Sequence, residues 1–289
     1  MISRRTLFAG LAALPLGLAA RPARAAPATP AAPAHSGASA WADGHEARVR
    51  LVAGGSDGAA RLAALEMDLA PGFKTYWRHP GESGLPPSFD WAGSKNLDRV
   101  EVLWPAPHRF EDAGGVTYGW DRDVLIPLRV VPKHPDKPVR LFLKLAYGVC
   151  KDICVPNAAD LALDLPPGDG PHREQVAAAL ARVPTPRPLG AEGFLAVLSA
   201  EPKAEGAKGA VAVRVRAGTE ATLFVEAPDG WYLAAERPPA RSGDVAEFQV
   251  EVLERPREAA GPLPLRLTLV AGERAIETEA TLDTAALPR

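Results

Sequence analysis

The sequence predicts an all-β protein: two tandem β-sandwiches joined by a short helix and a Pro-rich linker. Three observations carry this. Apolar residues alternate in short runs punctuated by Pro and Gly, the pattern of half-buried antiparallel strands. Proline accounts for 30 of 289 residues, about twice its usual share, which leaves little room for long helices or central strands. Only one stretch has helical spacing, and it falls between the two groups of strands.

Residues 1–26, "MISRRTLFAGLAALPLGLAARPARAA", read as an export signal. Arg4 and Arg5 ahead of a weakly apolar Gly/Ala core are of the twin-arginine type, and Ala23-Arg24-Ala25 supplies the small-residue exit. An uncleaved anchor needs about 20 apolar residues, and Arg21 interrupts the run too early. No later run is long enough to span a bilayer, so the mature chain is expected in the periplasm, where disulfides persist. The formal net charge is −2 and becomes more negative once the arginines of the signal are lost. Nucleic acid is therefore excluded as a partner.

Residues 27–40, "PATPAAPAHSGASA", have no periodicity and read as a disordered leader. From 41 to 166 the runs "HEARVRLVA", "RLAALEMDLA", "DRVEVLW", "DVLIPLRVV" and "VRLFLKLAYGV" alternate as strands of the first sandwich. Residues 167–189 hold the helix and the linker. Val176, Ala179, Leu180 and Val183 share one helical face, Pro171 suits the first turn, Pro184 ends it, and "PTPRPLGAEG" follows. From 190 to 285 short alternating runs return, among them "AVAVRVRAG", "AEFQVEVLE" and "LPLRLTLVAG", and predict a second, smaller sandwich. Five of the six tryptophans and both cysteines belong to the first.

Chemistry is concentrated in "AYGVCKDICVPNAADLAL", which holds Cys150 and Cys154. β-Branched Val149, Ile153 and Val155, with Pro156 close behind, disfavour a helix here. A hairpin fits instead: Val139, Leu141, Leu143 and Leu145 lead in, Leu161, Leu163 and Leu165 lead out, and Lys151-Asp152-Ile153 form the turn. The cysteines then face each other within disulfide reach. Three readings stay open from these residues alone. As a staple, so short a loop contributes only about 2 kcal/mol. As an exchanging disulfide, a hairpin tip offers the access that exchange requires. As a metal clip, the pair lacks nearby histidine or methionine ligands, which leaves at most a two-thiolate Cu(I) site. There is no G-x-S-x-G, no H-E-x-x-H, no phosphate-cradling glycine motif and no Cys-x-x-Cys.

Four spaced motifs, "GFKTYWRHPGESGLPPSFDW", "VLWPAPHRF", "YGWDRDVLIPL" and "YGVCKDICVP", together resemble the N-terminal domain of the thiol:disulfide interchange protein DsbD, in the variant found in the copper-sensitivity suppressor ScsB. The resemblance covers roughly residues 41–166. It implies an immunoglobulin-like sandwich that carries electrons across the periplasm without a cofactor or metal. The donor would be a DsbD- or CcdA-like membrane thiol reductase, and the acceptor a periplasmic thioredoxin-like protein. Carried over residue by residue, Cys154 would form the mixed disulfide and Cys150 would resolve it. Phe110, Glu111, Asp112, Ala113, Gly114 and Gly115 would form a cap loop swinging on its glycines, with Tyr76 and Tyr147 packed near the sulfurs. A second immunoglobulin-like unit is also expected of that variant. Two departures stand out: only three residues separate the cysteines, and the sequence given carries no membrane conduit or thioredoxin-like domain, so electrons are expected from another polypeptide. The competing expectation is a non-catalytic binding module, a Cu(I) carrier or an assembly factor with an inert structural disulfide.

Overall fold

The computed structural model describes residues 37–112, 115–203, 209–218, 220–235, 238–257 and 261–287. The expected export signal, residues 27–36 of the leader, and Ala113 and Gly114 of the expected cap lie outside them. In chain order the first group of strands is β1 (Ala42–Asp43), β2 (Ala47–Asp57), β3 (Ala60–Leu69), β4 (Lys74–Gly81), β5 (Ser88–Asp90) and β6 (Leu97–Val102). It continues with β7 (His108–Asp112), β8 (Gly115–Trp120), β9 (Val124–Pro132), β10 (Val139–Cys150) and β11 (Cys154–Leu165).

These strands form two antiparallel sheets, ordered β1-β2-β3-β9-β6 and β11-β10-β4-β8-β7, with β5 added to β10. Strand β10 shows why they pack. Its residues Val139, Leu141, Leu143, Leu145, Tyr147 and Val149 are all buried in the core between the sheets, while Arg140 and Lys144 point to water. Val49, Leu51, Leu65, Ile126 and Leu128, none with any exposed surface, fill the same core from the other sheet. Period-2 alternation thus becomes one dry face per sheet.

Helix α1 (Arg173–Leu180) lies on the outer face of the first sheet. Val176 is fully buried there with Ala38, Val52 and Ala64. A side chain at Gly54 would come within 2.8 Å of Val176, so glycine is what lets the helix dock. The helix stops one turn earlier than the apolar spacing predicts. Arg182 and Val183 donate their N–H groups to Ala179 and Leu180, so the chain tightens into turns before Pro184. The leader is also shorter than expected. Ala38 bridges to Val52, and Ser39 both donates its N–H to Leu51 O at 2.8 Å and accepts Leu51 N–H at its hydroxyl, 2.9 Å away.

The second group comprises β12 (Thr185–Pro186), β13 (Ala196–Lys203), β14 (Ala210–Arg216), β15 (Ala221–Glu226) and β16 (Tyr232–Ala235). β17 (Ala240–Ser242), β18 (Val245–Glu254), β19 (Pro262–Ala271) and β20 (Arg274–Asp283) complete it. Its sheets are ordered β12-β20-β19-β15 and β13-β14-β18-β16, with β17 on β18, around a second core that includes Phe248, Val213, Leu267 and Leu269. The expected linker is part of this sheet: Thr185 and Pro186 pair in parallel with Ile276 and Glu277. An edge position leaves Pro186 no ladder bond to lose.

The two cores meet. Phe224 of β15 is buried among the first group's residues, with its ring edge-on to Trp77 at 5.9 Å and Tyr118 at 5.0 Å. Accordingly, the described residues form one compact unit. Strands β4, β7 and β8 escape the alternation rule. In β4, Thr75, Tyr76 and Trp77 are buried in succession, because this strand is covered on both faces and a period of two has nothing to report.

Close approach of β4 and β8 makes a stability prediction. A Cβ at Gly119 would lie 1.9 Å from Thr75 O, so Gly119→Ala should cost about 1–3 kcal/mol and lower the melting temperature by several degrees. Gly218→Ala, where the nearest atom is 3.8 Å away, should leave it within about 0.5 kcal/mol of wild type. Thermal unfolding of both variants checks the contrast.

Candidate functional site

The β10–β11 hairpin positions the cysteines by counting. Twelve successive pairs run from Val139↔Leu165 to Cys150↔Cys154, so the core-facing odd positions of β10 put even-numbered Cys150 on the outer face of the sheet. Cys150 and Cys154 are joined as a disulfide with Cα atoms 4.2 Å apart, and Lys151-Asp152-Ile153 turn between them as predicted. The two sulfurs have different surroundings. Cys154 is exposed, as are Lys151, Asp152 and Ile153, the last with 75% of its surface accessible. Cys150 is 2% exposed.

What buries Cys150 comes from β4 and the segment after it. Tyr76 projects onto the disulfide, its hydroxyl donating to Cys150 Sγ at 2.6 Å and lying 3.0 Å from Cys154 Sγ. Lys74 stands opposite Cys150 in the ladder. Its ammonium donates to Thr117 Oγ1 at 3.0 Å and lies 5.4 Å from the Phe110 ring centre. Thr75 Oγ1 donates to Gly148 O at 2.9 Å, locking β4 to β10 two residues before Cys150. Gly84 and Leu85 then lie over this face. A side chain at Gly84 would strike the Tyr76 ring at 2.6 Å, and one at Gly148 would strike Leu85 Cβ at 2.6 Å.

The expected cap loop is a β-hairpin. Phe110, Glu111 and Asp112 belong to β7 and Gly115 to β8, with Phe110 paired to Thr117 and Asp112 to Gly115. Phe110 is half-buried, and Glu111 is exposed in an ion pair with Arg109 at 2.7 Å. Gly115 is no free hinge: its φ is 102°, and a Cβ there would meet Glu82 Oε2 at 2.0 Å. Glu82 clamps the hairpin by donating its N–H to Val116 O at 2.8 Å and accepting Val116 N–H at 3.1 Å. Tyr147 is placed differently from expectation. Odd-numbered, it faces the core; a side chain at Gly44 would lie 2.7 Å from its hydroxyl, and that hydroxyl has no hydrogen-bond partner among the described residues. Burial raises its pKa.

Lys74, Gly84, Leu85, Gly148 and Thr117 were not singled out by sequence, although all fall within or beside the recurring motifs. A glycine inside a strand marks close approach of another segment, and Gly148 carried that signal. Among the described residues, no three His, Cys, Asp or Glu side chains converge as metal ligands, and no helix is long and apolar enough to cross a membrane.

Fold and site together point to a thiol–disulfide exchange domain. Residues 43–166 match the family model of the thiol:disulfide interchange protein DsbD, N-terminal. The chain is similar in fold to the crystal structure of the N-terminal periplasmic domain of ScsB from Proteus mirabilis. The TM-score is 0.67 at 23% identity, over 86% of this chain and 99% of that one. An endo-fucoidan hydrolase of glycoside hydrolase family 107 aligns at 12% identity over 74% of this chain and 34% of its own, but a TM-score of 0.21 carries no argument. No curated protein sequence matches the chain.

Just beyond Tyr76, His79 lies between the Tyr118 and Tyr232 rings, at 5.9 and 6.4 Å. Burial lowers its pKa from 6.5; Glu226 opposes the shift and the Arg78 cation adds to it. The folded protein thus takes up this proton less readily than the unfolded chain. The stability His79 contributes is present above about 6.5 and is lost as pH falls from there through the lowered value. The melting temperature should therefore drop more steeply between about pH 7 and 5 in wild type than in His79→Gln. Parallel slopes in a calorimetric pH series would remove His79 as the source.

Proposed function

We propose that the protein is a periplasmic thiol–disulfide exchange protein of the protein-disulfide reductase type. In this reading Cys150 and Cys154 take two electrons from a DsbD- or CcdA-like membrane thiol reductase and pass them to a thioredoxin-like protein. The observation that carries it is the unequal placement of the two sulfurs, Cys154 exposed at a hairpin tip and Cys150 enclosed beneath Tyr76. An in-line approach to the pair meets Cys154 first. The family of residues 43–166 supports the same chemistry, and the signal at 1–26 accounts for export. The two pairs of sheets are read as tandem immunoglobulin-like sandwiches.

The transfer balances without a co-reactant. In the reduced pair, the Cys154 thiolate attacks the acceptor's disulfide, and one acceptor sulfur leaves as a thiolate with the electron pair of the broken bond. The Cys150 thiolate then attacks the Cys154 sulfur of the mixed disulfide. The second acceptor sulfur leaves, the Cys150–Cys154 bond re-forms, and the acceptor becomes a dithiol. Reduction by the donor runs the same steps in reverse. Tyr76 suits both directions, because a hydroxyl that reaches either sulfur stabilises whichever carries the negative charge. Exposed Ile153 provides an apolar contact for either partner beside the reacting sulfur.

The test combines a potential with a trap. Titration against glutathione should place the disulfide above the region near −300 mV typical of inert structural bonds. Cys150→Ala should accumulate a mixed disulfide with an oxidised thioredoxin-like protein, and Cys154→Ala far less. A potential below that region would overturn the reading and leave the inert structural disulfide of an assembly factor, and equal trapping by the two variants would overturn the assignment of Cys154 as the exchanging residue and Cys150 as the resolving one.

The cap is part of the same proposal. Phe110, stacked near the Lys74 ammonium at the edge of the site, is read as the apolar shield of the reduced pair. Phe110→Ala should speed alkylation of the reduced cysteines by a small thiol reagent. An unchanged rate together with a large loss of melting temperature would make Phe110 a packing residue instead.

A further inference from the structure

Strand β4 is poorly held by its own sheet. Its register with β10 covers only Thr75↔Val149 and Lys74↔Cys150, and its register with β8 skips from Tyr76↔Gly119 to Gly81↔Thr117. The residues in the gap are Trp77, Arg78, His79 and Pro80, immediately after the tyrosine that touches both sulfurs. Three of these four are met by the second group of strands. Arg78 donates Nε to Glu226 Oε2 at 2.9 Å and Nη2 to Glu226 Oε1 at 2.7 Å, and Nη2 also bonds Glu277. The Trp77 ring is edge-on to Phe224 at 5.9 Å, and the His79 ring faces Tyr232.

We propose that the second sandwich is a positioning support for the cysteine pair, and that Arg78 is the positioning residue through which it holds Tyr76 against the sulfurs. The fork is suited to this. Arg78, Glu226 and Glu277 expose only 19%, 16% and 25% of their side chains, so water is a poor substitute partner and the bidentate geometry fixes direction as well as distance. Burial works against the Arg78 charge, and the two carboxylates more than offset it, raising its pKa. The same stretch leads through Gly81 into Glu82, which clamps the β7–β8 hairpin at Val116. One support thus reaches both the tyrosine on the disulfide and the hairpin beside it. Glu226 and Glu277 sit on β15 and β20, both in the sheet that receives Arg78, and Arg266 balances Glu277 from the other side at 3.6 Å.

The inference rests on the exchange reading, and its test is separable from it. Full-length protein is reduced with dithiothreitol, and the alkylation rate of the pair is measured below the unfolding transition of every variant. Arg78→Met should speed alkylation roughly fivefold, the scale on which one lost hydrogen bond shifts an equilibrium. Glu226→Gln, which keeps the shape of the partner, should give a smaller change in the same direction, and Arg78→Lys should restore part of the protection. In a Tyr76→Phe background Arg78→Met should add little, because the tyrosine through which it acts has lost its hydroxyl. Val213→Ala, in the second core but on the sheet that does not carry the fork, serves as a matched destabilisation. The proposal is overturned if Arg78→Met leaves the rate unchanged, if its effect adds fully to Tyr76→Phe, or if Val213→Ala speeds alkylation equally at the same loss of melting temperature. Where Arg78→Met does not fold, Glu226→Gln and the Tyr76→Phe cycle decide by the same criteria. A wild-type disulfide that resists glutathione would instead remove the exchange reading while the shielding result stood.

Discussion

The register of the β10–β11 ladder is the constraint on which the rest of the site depends. Burying Val139, Leu141, Leu143, Leu145, Tyr147 and Val149 in the core fixes every other position of β10 on the outer face. A slip of one residue would turn six apolar side chains to water and drive Cys150 into the core. The burial energy of a whole strand face therefore holds the cysteines opposite each other at the hairpin tip. The disulfide itself, closing a separation of four residues, adds little to that energy and is left available for chemistry.

An outward-facing cysteine would be expected to meet solvent. Cys150 does not, because glycines at 84 and 148 allow a second layer of chain to settle on the sheet, and because β4 delivers the Tyr76 hydroxyl onto the sulfurs. The site is thus a covered patch on an outer sheet face, open only at Cys154. Its two exposed ends, the Ile153 tip and the β7–β8 hairpin, are anchored by different means. The tip is held by the long ladder, the hairpin by Glu82 and by Lys74 reaching Thr117.

Most ion pairs among the described residues lie on the surface, such as Arg140–Asp164 with 56% and 65% of the side chains exposed, and contribute little to stability. The Arg78 fork differs in burial and in geometry. It joins the strand bearing Tyr76 to the sheet bearing Glu226 and Glu277, next to the place where Phe224 enters the first core. The two halves of the chain are thus coupled at β4, a strand whose own ladder is interrupted, as well as at Tyr118 of β8.

The sequence by itself determined the all-β character, both groups of strands, the helix at Val176 and Ala179, and the Cys150–Cys154 hairpin with its three-residue turn. In each case local periodicity and turn chemistry agreed with the final packing. It also carried the family resemblance, which later matched residues 43–166. Only the tertiary structure decided β4, β7 and β8, since a strand covered on both faces, as β4 is at Thr75 to Trp77 and β8 at Thr117 to Trp120, shows no alternation. It turned the expected cap loop into a clamped hairpin and put Tyr147 in the core. Lys74, Glu82, Leu85 and Arg78 acquired their places around the site in the same way. Each of these depends on a contact between residues far apart in the chain, and no local pattern records which distant segment will cover a given face.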